Sequence, residues 1–157
     1  MINPDNITKL VRRTLNFVGI HENAMETLIK GTFLMESDLE NLFDEKDNRH
    51  GLMMMHERDI HWLFDDYIKY KLHLKTCIES LTGFSVKDTD TEAFIEELDY
   101  NVALMVIVTY AWYDSQNIDC IVDDLEKVAL FYRNHYADQR QADVDTFIQR
   151  YKEVFVN

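Results

Sequence analysis

With four glycines and one proline in 157 residues, this chain has few places at which to turn. Average usage is roughly 7% Gly and 5% Pro, and chains that reverse direction often rely on those residues for their turn conformations. Long helices joined by few loops follow. A hydrophobic share of 46%, with nine Phe, eight Tyr and two Trp, supplies enough apolar surface for a packed core and argues against a disordered chain. At this length a single domain, residues 1–157, buries roughly 70% of its extended-chain surface.

The apolar residues repeat with helical spacing. Ile60, Leu63, Tyr67, Tyr70, Leu74, Cys77 and Leu81 step alternately by three and four, which predicts a helix over about 52–81 with that seam inward. Similar spacing predicts helices over about 4–18, 22–44, 91–114, 118–136 and 140–155. Asn3 is placed to cap the first of these, with Pro4 at its first position. Gly31 interrupts the second, and Ser37-Asp38-Leu39-Glu40 has the form of a capping box, so a break near 36 is open. Asp90 or Thr91 caps the fourth helix. Asp44 to Gly51 and Gly83 to Asp90 read as the main linkers. No strand-like alternation with turn chemistry is visible. The expected fold is all-α, a single up-down bundle of about five or six helices.

The longest uncharged run, Tyr100 to Tyr113, has 14 residues and falls short of the ~20 that cross a bilayer. It predicts a helix buried on most sides at the centre of the fold. The opening MINPDNITKLVRR has no apolar signal-peptide core. Cys77 and Cys120 are isolated and suit reduced core thiols. A soluble cytoplasmic protein is expected, with no membrane partner.

The formal charge of −13 is local in origin. Residues 36–48 carry Glu36, Asp38, Glu40, Asp44, Glu45 and Asp47 against Lys46. Residues 87–97 carry Asp88, Asp90, Glu92, Glu96 and Glu97 against Lys87. Residues 114–126 carry Asp114, Asp119, Asp123, Asp124 and Glu126 with no base. Such fields repel nucleic acid and anionic membrane and attract basic protein surfaces or cations. In an up-down bundle the first and third stretches share a pole. Helix dipoles account for Glu92, Asp119 and Asp123 in or near first turns. They do not account for carboxylates crowding a C-terminus, where Glu36, Glu40 and Asp44 also repel each other at steps of four.

His56-Glu57-Arg58-Asp59-Ile60-His61 is the densest set of ligand-type residues. On a helix Glu57, His61 and Asp65 share one face, and His56 falls on the apolar seam as a buried structural histidine. The Glu-x-x-His pairs of bundle di-metal sites are absent, as is His-Glu-x-x-His. The spacing of Asp44, Asp47 and Asn48 fails the calcium-loop pattern. Neither a metal nor a cofactor is expected, and no catalytic residue is assigned. Leu52-Met53-Met54-Met55 suits the packed first turn of a core helix. Four apolar residues in a row cannot all face one core of a helix, so one or two should be exposed or cover another surface.

Arg49 and His56 form an R-x6-H spacing that resembles the Arg-x(4–6)-His signature of the helical HEPN ribonucleases. That resemblance, carried by two residues, implies a pair acting across a dimer on an RNA phosphodiester. The acidity of the chain runs against an RNA-cutting surface.

The leading expectation is a non-catalytic inhibitor, immunity or antagonist protein of bacterial or phage type. It would present an acidic helical pole, mimicking phosphate or DNA, to a basic and nucleic-acid-handling protein, without binding nucleic acid directly. Asp38, Glu40, Asp44, Asp119, Asp123 and Asp124 are the expected contact residues. The alternatives are a metal-dependent or HEPN-like enzyme using His56, Glu57 and His61, and a structural homo-oligomer such as a homodimer.

Overall fold

A computed structural model describes residues 1–116, 121–137 and 143–156. Its eight α-helices, among the described residues, are α1 (Pro4–Val18), α2 (Asn23–Ser37), α3 (Glu57–Trp62), α4 (Leu72–Thr82), α5 (Thr91–Leu98), α6 (Val102–Ser115), α7 (Leu125–His135) and α8 (Val144–Tyr151). The all-α expectation holds, with a higher helix number because two long helices are divided. Cys120 lies outside the described residues, and Cys77 is a buried free thiol whose burial pushes its pKa up. No described helix is long and apolar enough to cross a membrane.

The centre of the bundle is α6. Leu104 through Thr109, Ala111 and Tyr113 are all buried, as expected of the one long uncharged run, and α1, α2, α4 and α5 pack around it. The expected helix over 91–114 is cut at residues 99–101. Asn101 restarts it by accepting from Leu104 N at 3.1 Å, while its own amide donates to Glu97 at 2.9 Å. A side chain that satisfies free helix-end groups competes directly with continuation of the helix.

The expected helix over 52–81 departs further from a single rod. Residues 52–56 are a turn and a short strand, and Leu63–Tyr67 forms a π-helical turn followed by a 3-10 turn over Ile68–Tyr70. Lys71 is extended, and α4 starts afresh. The seam slips at this double irregularity, so Tyr70, expected in the core, is 80% exposed beside Leu72 at 76%.

α2 ends at Ser37 rather than 44. The Ser37 hydroxyl donates backward to Phe33 O at 2.9 Å, so the capping box does not open a new helix. Asp38 and Leu39 then take left-handed backbone angles of 56° and 58° in φ. The chain continues into a small antiparallel sheet, β1 (Phe43–Asp44), β2 (Arg49–His50) and β3 (Met55–His56), in that order. The sheet replaces the expected linker and the first turn of the long helix. Two-residue strands are too short for alternation to register in the sequence.

This irregular path also corrects the reading of Leu52 to Met55. All four are buried, which a helix would not allow. Gly51 makes the turn at a φ of 75°, where an added Cβ would lie 2.4 Å from Met53 Sδ.

Gly31 has a different reason. Phe147 of α8 packs directly on it, and a Cβ there would come within 2.0 Å of the ring. We expect Gly31→Ala to destabilise the fold by about 1–3 kcal/mol through overpacking, more than the ~1 kcal/mol that Ala gains in helix propensity. Chemical denaturation measures the difference, and a stabilised variant contradicts the packing described.

Candidate functional site

The last turn of α2, the β1–β2 hairpin and the last turn of α7 enclose an open cleft of about 930 Å³. Met35 and Glu36 come from α2, Tyr132 from the last turn of α7, and Tyr136 and Ala137 from just beyond it. Phe43 and Asp44 to Asp47 come from the hairpin, with Arg49 and Met54 behind it. Four carboxylates (Glu36, Asp44, Glu45, Asp47) face two cations (Lys46, Arg49). Arg49 is partly engaged, since its guanidinium donates to Met54 O at 3.1 Å. Phe43, 51% exposed, stands at the rim.

The hairpin exists because Asp44 builds its turn. Its Oδ1 accepts from Lys46 N at 3.0 Å and from Asp47 N at 3.3 Å, the local bonding that favours Asp in turns. Asn48 then takes a left-handed angle, which Asn tolerates better than most residues. The α7 wall is fixed by two phenols. Tyr132 donates to Glu36 Oε1 at 2.5 Å, and Tyr136 donates to Met53 O at 2.6 Å. Behind them the Tyr113 hydroxyl meets Thr32 Oγ1 at 2.8 Å. Burial, reinforced by the charge of Glu36, pushes the Tyr132 and Tyr136 phenols well above their ordinary range. Burial does the same for Tyr113.

Of the six expected contact residues, only Asp44 lines the cleft. Asp38 is exposed and forms an ion pair with Arg150 at the end of α8. Glu40 pairs with the amino group of Met1 at 3.2 Å. Asp124 caps α7, accepting from Lys127 N at 3.1 Å. Asp123 is exposed beside it, and Asp119 lies outside the described residues. Tyr132 is the α7 residue that meets the 36–48 stretch, and Asp124 precedes it by eight residues, about 12 Å of helical rise. Glu36, Phe43, Glu45, Asp47, Tyr132 and Tyr136 also line the cleft, although none was among the expected contact residues. The two tyrosines carried a signal in their i, i+4 spacing, which also fits a plain core face.

The His56–His61 region forms two separate arrangements. His56 closes β3, and its Nδ1 accepts from Arg58 N at 3.1 Å, so it is a half-buried helix cap and not part of an apolar seam. Glu57 and His61 approach to 3.9 Å, and His61 and Asp65 to 4.0 Å, as their step of four requires. Among the described residues no group of three or more His, Cys, Asp or Glu is arranged to hold a metal ion. Arg49 and His56 are direct partners across β2 and β3 and line one small cavity of about 40 Å³ with Asp59, Trp112 and Tyr136. A comparison with protein-family models, curated proteins and solved structures finds no match for the chain.

The buried phenols give a test of this geometry. Below pH about 10 tyrosine is protonated in both folded and unfolded chains. Above it the unfolded chain ionises first, so the folded state holds more protons and stability falls as pH rises. The urea midpoint should drop between about pH 10 and 11.5, and Tyr132→Phe should make that drop shallower. An unchanged slope in the variant contradicts the buried position of Tyr132.

Proposed function

We propose that this protein is a non-catalytic binding module that receives a basic segment of another protein in the cleft between α2, α7 and the hairpin. The observation that carries the reading is the company the carboxylates keep. Asp44, Glu45 and Asp47 stand beside the exposed Phe43 in one concave surface backed by the buried Tyr132 and half-buried Tyr136, so cationic side chains meet opposite charge and an aromatic face together. Charge alone would give steering and fast, salt-sensitive association, while concavity and aromatic surface give residence. Carboxylates can also occupy positions that a basic partner shapes for phosphates. An inhibitor or antagonist of a nucleic-acid-handling protein is therefore the role that fits best, in a cytoplasm that keeps Cys77 reduced.

The decisive variant must keep the turn. Asp44→Asn retains the acceptor for Lys46 N and Asp47 N, and Glu45→Lys with Asp47→Lys reverses the outer charges. We expect the triple variant to capture basic proteins from host lysate at least about tenfold more weakly at low salt, with unchanged helical circular dichroism. Binding equal to the parent rules the cleft out as the contact.

A second reading rests on the Arg49–His56 pair. An imidazole and a guanidinium brought together across a ladder and lining one cavity are the groups that phosphodiester cleavage uses. The pair sits on short strands, unlike the helix of the ribonucleases it resembles. RNA cleavage by the purified chain that disappears in His56→Ala would establish this reading, and no cleavage by the parent would remove it.

A further inference from the structure

His50 has one ring nitrogen satisfied and one stranded. From β2 its imidazole reaches between the end of α5 and the first turn of α3. Nδ1 lies 2.7 Å from Asp99 Oδ1, whereas Nε2 is buried with no hydrogen-bond partner, the one such side-chain atom among the described residues. Buried polar atoms are paired in the great majority of cases, so this exception calls for a cause. The group facing the stranded nitrogen is Glu57, whose Oε2 is 3.9 Å away.

The chemistry of the ring follows from its neighbours. An ionised carboxylate only accepts, so Asp99 places the proton of a neutral ring on Nδ1. Nε2 then presents a lone pair toward the Glu57 carboxylate, an unfavourable approach. A second proton, taken from solvent, turns the same nitrogen into a donor aimed at an acceptor. We infer that His50 is a proton-operated latch, in which protonation of Nε2 fastens β2 to the start of α3 through Glu57.

The latch would close alongside contacts that already exist. Glu57 N donates to Asn48 O at 2.9 Å, and Arg49 and His50 pair with His56 and Met55. Other titratable groups face the latch through Glu57. His61 Nε2 is 3.9 Å from Glu57 Oε1, with Glu92 at 3.9 Å and Asp65 at 4.0 Å from the His61 ring. Because β2 belongs to the hairpin that walls the cleft, acidification stiffens that wall. The added bond exists only with the protonated ring, so its stabilisation is present at low pH and lost once the ring is neutral.

The test compares unfolding equilibria of the parent and Glu57→Gln at about pH 5.5 and pH 8, both also in a His61→Asn background. The latch predicts that Glu57→Gln raises the unfolding constant about threefold to tenfold at the lower pH and less than about twofold at the higher. That difference should survive in the His61→Asn background. An equal effect at both pH values overturns the inference, and an effect abolished by His61→Asn assigns it to His61 instead. Nitrogen-15 NMR of the parent imidazoles reads the latch without substitution. His50 must gain a proton on Nε2 while keeping the one on Nδ1, and a ring that stays a single neutral tautomer from about pH 8 to 5.5 also overturns it.

Discussion

The burial of the middle of α6, Leu104 to Thr109, on every side is the constraint on which the other elements depend. A helix hidden from water satisfies its own backbone, but each polar side chain on it must find a protein partner or lose stability. Thr109 bonds back to Met105 O at 2.7 Å, Tyr113 reaches Thr32 of α2, and the Trp112 indole donates to His135 O at 2.9 Å. These bonds fix α2 and the end of α7 against the same helix from two directions. The gap between the ends of α2 and α7 is thereby set by the core, and that gap is the cleft. Site geometry here is a consequence of core packing, transmitted through Tyr113, Tyr132 and Tyr136.

The acidic residues contribute little to that framework, and several have local tasks instead. Asp90, Asp124 and Asp143 each accept from the first turn of the helix they precede, where a carboxylate also favours the helix dipole. Asp38 and Glu40 hold the α8 end and the chain start. Surface pairs of this kind are worth little individually. What distinguishes Glu45 and Asp47 is that both are exposed at the edge of a concavity and take no part in capping a turn or a helix by their side chains. Charge with no structural task, at the edge of a cavity that the core holds open, is the combination on which the proposed binding role of the cleft rests.

Much of the fold was legible because long apolar periodicities dominate it. α1 and its Asn3 cap, and the buried centre within the uncharged run 100–113, follow from residue spacing and capping chemistry, whereas the end of α2 at Ser37 comes without the new helix that the capping box offered. The site was much less legible. Its hairpin has two-residue strands, below the length at which alternation carries information. Its tyrosines share a spacing with any core stripe. The division of the expected helix over 52–81 escaped because a seam drawn at steps of three and four assumes a constant number of residues per turn. One π turn and one 3-10 turn shift the register enough to move Tyr70 from core to solvent. Likewise Asp38, Glu40 and Asp124 were visible as charges, but their use in ion pairs and caps depends on where Arg150, Met1 and the start of α7 come to lie.

The backbone around the cleft carries strain that has to be offset beneath it. Asp38, Leu39, Asn48 and Met54 all adopt positive φ, a region open to Asn and Asp but costing a bulkier residue on the order of 1–3 kcal/mol. Leu39 and Met54 are the expensive cases, and both are buried. Burying a side chain of that size returns about 1.5–3 kcal/mol, comparable with the strain at the same residue. Leu39 O also accepts from Ile2 N at 2.8 Å, and Met54 O from Arg49, so neither carbonyl is left unsatisfied. The loop is thus held from below by apolar contact and hydrogen bonds to its carbonyls, and at its turn by Asp44, while Glu45 and Asp47 lie on its outer side. That division of labour leaves the outer charges free to change partner without unfolding the wall that carries them.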